Sequence, residues 1–348
     1  MDILRHISAE RILGYMKKAP KKLIYVYSLL AWTLTLLALV FRVLARVYSY
    51  DVEVGYFESN ALFPTLHYIC LALIATLSGS ALILFRHFSV PDTVIASMQK
   101  TCVMEKIAAF VGAISMLIVS ICTAIFYWST GSLTPSGFTV FGLLSAVLSV
   151  FFFLFFFVPS AIGKNLHLFS GFALVLHFVY VLISSYFELY TPMNNPVKLL
   201  IQLTAIAAVL YLLCDLRFYL GIARPIRFIA VSTLFLGFSV VAVLSSGIFS
   251  VMTEAYTKLY YLYALTAFAL LLPAAVRITR MLMLWAQSGN TPAPLEDDEK
   301  GSDDHEVQSY ENDASQTASE SNDGATSLEP DEGDYTDESI NARKVSEE

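Results

Sequence analysis

The sequence predicts an all-α integral membrane protein: a bundle of eight transmembrane helices followed by a disordered acidic C-terminal tail. Three observations carry that expectation. Eight long apolar stretches lie between Leu23 and Trp285, each close to the roughly 20 residues that cross a bilayer. Hydrophobic residues make up 56% of the chain and charged residues 15%, against about 25% charged in soluble domains. The charge is also sharply divided: residues 291–348 hold 19 of the 29 acidic residues and only Lys300, Arg343 and Lys344 in opposition. That segment has net charge −16, so the −7 of the whole chain leaves +9 on residues 1–290. The expected organisation is a basic cytoplasmic segment (1–22), the membrane domain (23–285) and the tail (286–348).

Span one is expected at 23–44. It follows the basic residues Arg5, Arg11, Lys17, Lys18, Lys21 and Lys22. Its apolar region exceeds the 7–15 residues of a cleavable signal, and no small-residue cleavage site follows, so it is read as a retained span. The loop after it, 46–60, alternates loosely around Gly55 as Tyr48, Tyr50, Val52, Val54, Tyr56. A small hairpin or a loop lying on the membrane surface fits that pattern.

Span two is expected at 61–85. His67 and Cys70 are one helical turn apart within it, a spacing that suits two metal ligands, but two ligands make no site and packing is the better account. Between spans two and three, Pro91 is followed by Val94, Ile95, Met98 and Cys102. This is the pattern of a short amphipathic helix lying along the inner interface. Span three is expected at 107–128 and span four at 138–158.

Span five, 166–187, carries the most unusual polar residues. His177 sits near its middle, where an ionisable side chain is costly unless it faces the bundle interior or water. Ser170, His177 and Ser184 recur every seven residues and Glu188 follows four later, so all four occupy one stripe. Similar seven-residue seams mark other odd-numbered spans: Ser28, Thr35, Arg42; Ser115, Cys122, Ser129; and Ser232, Ser239, Ser246. Two readings stay open. The seams let helices approach and share hydrogen bonds, or they line a polar pathway past His177 with Arg42 and Glu188 as partners at its outer end.

Spans six, seven and eight are expected at 197–214, 226–248 and 259–276. Arg217, Arg224 and Arg227 lie in the loop between six and seven, and Arg277, Arg280 and Trp285 carry span eight into the headgroup zone. These five arginines form a candidate basic rim for anionic lipid or an acidic partner. Aromatic residues crowd the opposite side at Tyr127, Trp128, Tyr186, Phe187, Tyr190, Tyr256, Tyr260, Tyr261 and Tyr263, as in an interfacial belt.

Fifteen basic residues flank the spans on one side and four on the other, so the positive-inside rule puts both termini in the cytoplasm. Outer loops without Asn-x-Ser/Thr fit a bacterial inner membrane. No cofactor, metal or nucleic-acid partner is expected. The chain has no His-Glu-x-x-His, no Gly-x-Ser-x-Gly and no phosphate-binding glycine loop. No Asp or Glu falls in the middle third of an expected span, where secondary transporters often carry coupling carboxylates. A non-enzymatic sensor, scaffold or accessory subunit is therefore expected, with a small-solute permease working past His177 as the alternative.

Overall fold

The computed structural model describes residues 21–51, 56–58, 61–129, 137–158, 160–188, 195–252 and 258–288. Its elements are α1 (Lys21–Ser49), β1 (Tyr50–Asp51), β2 (Tyr56–Phe57), α2 (Leu62–Leu84), α3 (Asp92–Met98), α4 (Val103–Ser129) and α5 (Gly137–Leu154), the last running into a 3-10 turn (Phe155–Phe157). α6 (Ser160–Phe187), α7 (Pro196–Leu220), α8 (Pro225–Met252) and α9 (Lys258–Ser288) complete it. Among the described residues, eight helices are long and apolar enough to cross a membrane, every one except the seven-residue α3. Of the basic N-terminal segment only Lys21 and Lys22, in α1, and of the acidic tail only 286–288, in α9, are among the described residues.

Neighbouring helices pack in a closed ring: α4 on α5, α5 on α6, α6 on α7, α7 on α8, α8 on α9 and α9 back on α4. α1 and α2 form a hairpin outside the ring and attach to it through α8. That position explains the two burial extremes. In α8, enclosed by four helices, 78% of the most apolar window is buried, whereas in the peripheral α1 the share is 22%.

Close approach of backbones sets the ring. A Cβ on Gly112 of α4 would lie 2.6 Å from the Ala269 carbonyl of α9 and would also strike Phe153 of α5. A Cβ on Gly142 of α5 would collide with the Tyr180 ring of α6. In lipid, where apolar side chains gain nothing by leaving the solvent, such small-residue contacts are what let helices associate.

The ends of α7 have clear local causes. Asn195 caps it by accepting from Val197 N at 2.9 Å, and Pro196 takes the first turn, where its missing N–H costs nothing. Gly221, at φ 77°, ends it, and Ile222 N bonds back to Arg217 O at 3.2 Å. Only 222–224 then separate Gly221 from Pro225, the first residue of α8.

The two ends of the bundle differ. One carries the β1–β2 hairpin, with Tyr50 paired antiparallel to Phe57. Arg46 lies 3.4 Å from the centre of the Tyr50 ring and Arg42 lies 5.1 Å from that of Phe57. The other end carries α3, which buries Val94 and Met98 as the amphipathic spacing predicts. Trp285 of α9 turns inward there, stacking edge-on to Phe85 and donating to Ser89 O at 3.2 Å.

Candidate functional site

Within the end that carries α3 lies a network of four charges, in which Arg277, Asp215 and Glu105 are buried and Arg280 is half-buried. Arg277, among the largest fully buried side chains of the chain, donates from Nε to Asp215 Oδ1 at 2.7 Å. Its other guanidinium nitrogens reach Tyr219 Oη at 3.1 Å and the Met98 carbonyl at 3.3 Å, with Glu105 Oε1 at 3.8 Å. One turn on, Arg280 meets Glu105 Oε2 at 2.9 Å and the carbonyls of Ser97 and Lys100 at 2.7 Å each.

The helices dictate this convergence. Asp215 and Tyr219, four apart on α7, share a face, as do Arg277 and Arg280, three apart on α9. Glu105 sits three residues beyond Cys102, whose N–H it accepts at 3.0 Å, so the carboxylate caps the start of α4 while facing α9. The two arginines donate to carbonyls at and just beyond the C-terminal end of α3, those of Ser97, Met98 and Lys100. Rings close the remaining sides: Phe156 and Tyr219 lie 5.9 and 5.5 Å from the Arg277 guanidinium, and His167 packs on Tyr219 at 4.3 Å.

The balance of two guanidiniums and two carboxylates is what makes this burial possible. An isolated charge in such a place would cost several kcal/mol, which paired, hydrogen-bonded charges recover. The network bolts α3, α4, α7 and α9 together at a single point.

The residues of the expected polar stripe on α6 all find hydrogen-bond partners within the bundle. His177 is buried, with Nδ1 3.2 Å from Ser145 Oγ of α5 and its ring stacked on Tyr180. Ser170 bonds its own helix, at Leu166 O and His167 O. Ser184 accepts from Tyr263 at 2.5 Å, and Glu188 accepts from Tyr260 at 2.8 Å. Tyr260 and Tyr263 thus point into the bundle, unlike the exposed Tyr186 and Phe187. Side chains at 127, 128, 190 and 256 lie outside the described residues.

Glu188 has a different partner from the one expected. Fully buried Lys198 donates to the Glu188 carbonyl at 2.7 Å and lies 4.0 Å from its carboxylate. Arg42 is held at the hairpin by Phe57, and among the described residues no ion pair joins it to Glu188. The ring interior nearby retains a void of about 10 Å³ between α6, α7, α8 and α9, lined by Phe178, Thr204, Tyr263 and their neighbours but not by His177. That is room for about one water.

The five arginines of the expected rim divide. Arg277 and Arg280 are committed to carboxylates, while Arg224 and Arg227 are exposed and share a surface concavity with Arg86. Arg217 sits in the last turn of α7. His67 donates from Nδ1 to the Ala38 carbonyl of α1 at 3.0 Å, which ties α2 to α1. Among the described residues no group of three or more His, Cys, Asp or Glu converges as a metal-binding set.

Sequence reasoning missed Glu105 and Asp215. Counting basic residues for topology gives acidic ones almost no weight, and Asp215 falls just past the expected end of span six at 214, where the structure continues the helix to Leu220. The available signal was the run Tyr211, Asp215, Tyr219, a carboxylate between two tyrosines on one helical face.

Fold and site together define a helical bundle in which, among the described residues, eight helices are long and apolar enough to cross a membrane and one end is closed by an ionic latch. Comparisons with protein-family models, with curated proteins and with solved structures return no match.

Proposed function

We propose that the chain is a non-enzymatic membrane sensor, scaffold or accessory subunit, with both termini in the cytoplasm and a disordered acidic tail that recruits or regulates a partner. The observation that carries this reading is the latch. It neutralises the buried charges at the α3 end and fixes four helices there, which makes that end a rigid platform. The packing of His177 between Ser145 and Tyr180, outside the lining of the nearby void of about 10 Å³, supports the same reading. The basic flanks 1–22, 86–106 and 217–227 support placing the α3 end in the cytoplasm.

The alternative is a small-solute permease whose pathway runs past His177. The continuation of that stripe through Ser184 and Glu188 to Tyr263, Tyr260 and Lys198 favours it. The two readings separate by water access. With Cys70, Cys102, Cys122 and Cys214 replaced, single cysteines at Ser145 and Ser184 would be exposed to a membrane-impermeant thiol reagent in right-side-out and inverted vesicles. A scaffold leaves both unlabelled from either side. Labelling of Ser145→Cys from either side would overturn it in favour of a pathway. Deleting residues 291–348 should abolish partner recruitment while leaving the bundle folded.

A further inference from the structure

Arg86, at the end of α2, and Arg224 and Arg227, at the start of α8, line one open concavity of about 400 Å³ with Leu82, Pro225 and Ile226. They differ from the arginines of the latch. Among the described residues, none of the three side chains enters a hydrogen bond or an ion pair, whereas Arg277 and Arg280 share two carboxylates. Three uncompensated guanidiniums in one concavity repel each other and gain from a multivalent anion that accepts several N–H bonds at once. The first turn of α8 adds unpaired backbone N–H groups and the positive end of its dipole.

The walls indicate what carries that anion. Leu82, Ile83, Leu84 and Ile222 are exposed beside the arginines, at the very ends of helices long enough to cross a bilayer. A ligand charged at one end and apolar at the other matches this junction, and the volume falls within the range of about 300–1,000 Å³ typical of whole small-molecule sites. We infer that Arg86, Arg224 and Arg227 form a binding site for the phosphodiester headgroup of an anionic phospholipid. Guanidiniums hold the phosphate in bidentate fashion, and Leu82 and Ile226 meet the start of the acyl chains. The inference rests on the reading of these helices as membrane-spanning.

The full chain, purified in neutral detergent, would be titrated with phosphatidylglycerol and phosphatidylcholine, with bound lipid read by native mass spectrometry. The wild type should retain phosphatidylglycerol preferentially. Arg86→Gln/Arg224→Gln/Arg227→Gln should weaken its binding by about fivefold per arginine, on the order of a hundredfold for the triple variant. Arg217→Gln, outside the concavity, should keep the preference. Binding of phosphatidylglycerol by the triple variant as tight as wild type would overturn the site. So would equal loss in Arg217→Gln, which would make net charge the cause, or displacement of the lipid by millimolar inorganic phosphate, which would make free phosphate the ligand. A triple variant that elutes poorly would be replaced by Arg86→Gln/Arg227→Gln, with about a 25-fold loss expected on the same scale. Release of the wild type from membranes by alkaline carbonate would overturn the membrane reading itself, a failure distinct from binding without preference.

Discussion

Replacing Arg277 with methionine keeps an unbranched side chain out to about the position of Nε and removes the guanidinium. The change leaves Asp215 without its 2.7 Å partner and Tyr219 and the Met98 carbonyl without theirs, and Glu105 keeps Arg280 alone. Two buried carboxylates then face one guanidinium. Breaking a buried pair from one side costs about 3–5 kcal/mol, which for a chain of this size lowers the unfolding temperature by on the order of 10 °C. Arg277→Met/Asp215→Leu removes both members and restores the balance, because Glu105 and Arg280 still pair at 2.9 Å. The double variant should therefore be more stable than Arg277→Met alone and the coupling between the sites should be several kcal/mol. Thermal unfolding in detergent, followed by circular dichroism, measures Arg277→Met, Asp215→Leu, the double variant and the wild type. An Arg277→Met protein melting within a degree or two of wild type, or a double variant falling by the sum of the single losses, would refute the latch as the element that holds this end together.

Arg280→Ala removes the bonds to Glu105 and to the carbonyls of Ser97 and Lys100. It should speed hydrogen exchange in 92–100 well beyond the rest of the bundle, and unchanged exchange there would deny that α9 holds α3. Gly142→Ala places a methyl group into the Tyr180 ring and should lower stability by about 1–3 kcal/mol through separation of α5 from α6. An unaltered melting temperature would show that the contact yields freely. Lys198→Met leaves the nearly buried Glu188 carboxylate without its cation and should destabilise by about 3 kcal/mol. Adding Glu188→Gln should recover part of that loss, and no recovery would mean that Lys198 acts through the Glu188 carbonyl alone.

Much of the bundle was legible before any coordinates. The eight stretches, the amphipathic turn at Val94 and Met98 and the pairing of Tyr50 with Phe57 each rest on patterns local in the chain: apolar length, helical spacing, alternation about a glycine. The functional residues were legible only in part. His177 stood out because a histidine inside an apolar run is conspicuous, but its neighbour Ser145 lies 32 positions away on another helix. Nothing local relates the two. Tyr260 and Tyr263 read as interfacial aromatics because composition places tyrosines at helix ends, whereas their hydroxyls reach Glu188 and Ser184 across the bundle.

The clearest division concerns the arginines. Sequence alone determined that this chain has helices suited to a membrane and that basic residues gather at one end of them, because bilayer thickness and helix rise act on each segment separately. Only the tertiary structure decided that Arg277 and Arg280 are spent on Asp215 and Glu105, while Arg86, Arg224 and Arg227 stay open around a common hollow. A charge is neutralised by whatever lies within a few ångströms of it, and that neighbour comes from α4 and α7, 175 and 62 positions earlier in the chain. Helix packing makes the selection, and the one-dimensional pattern of charges does not contain it.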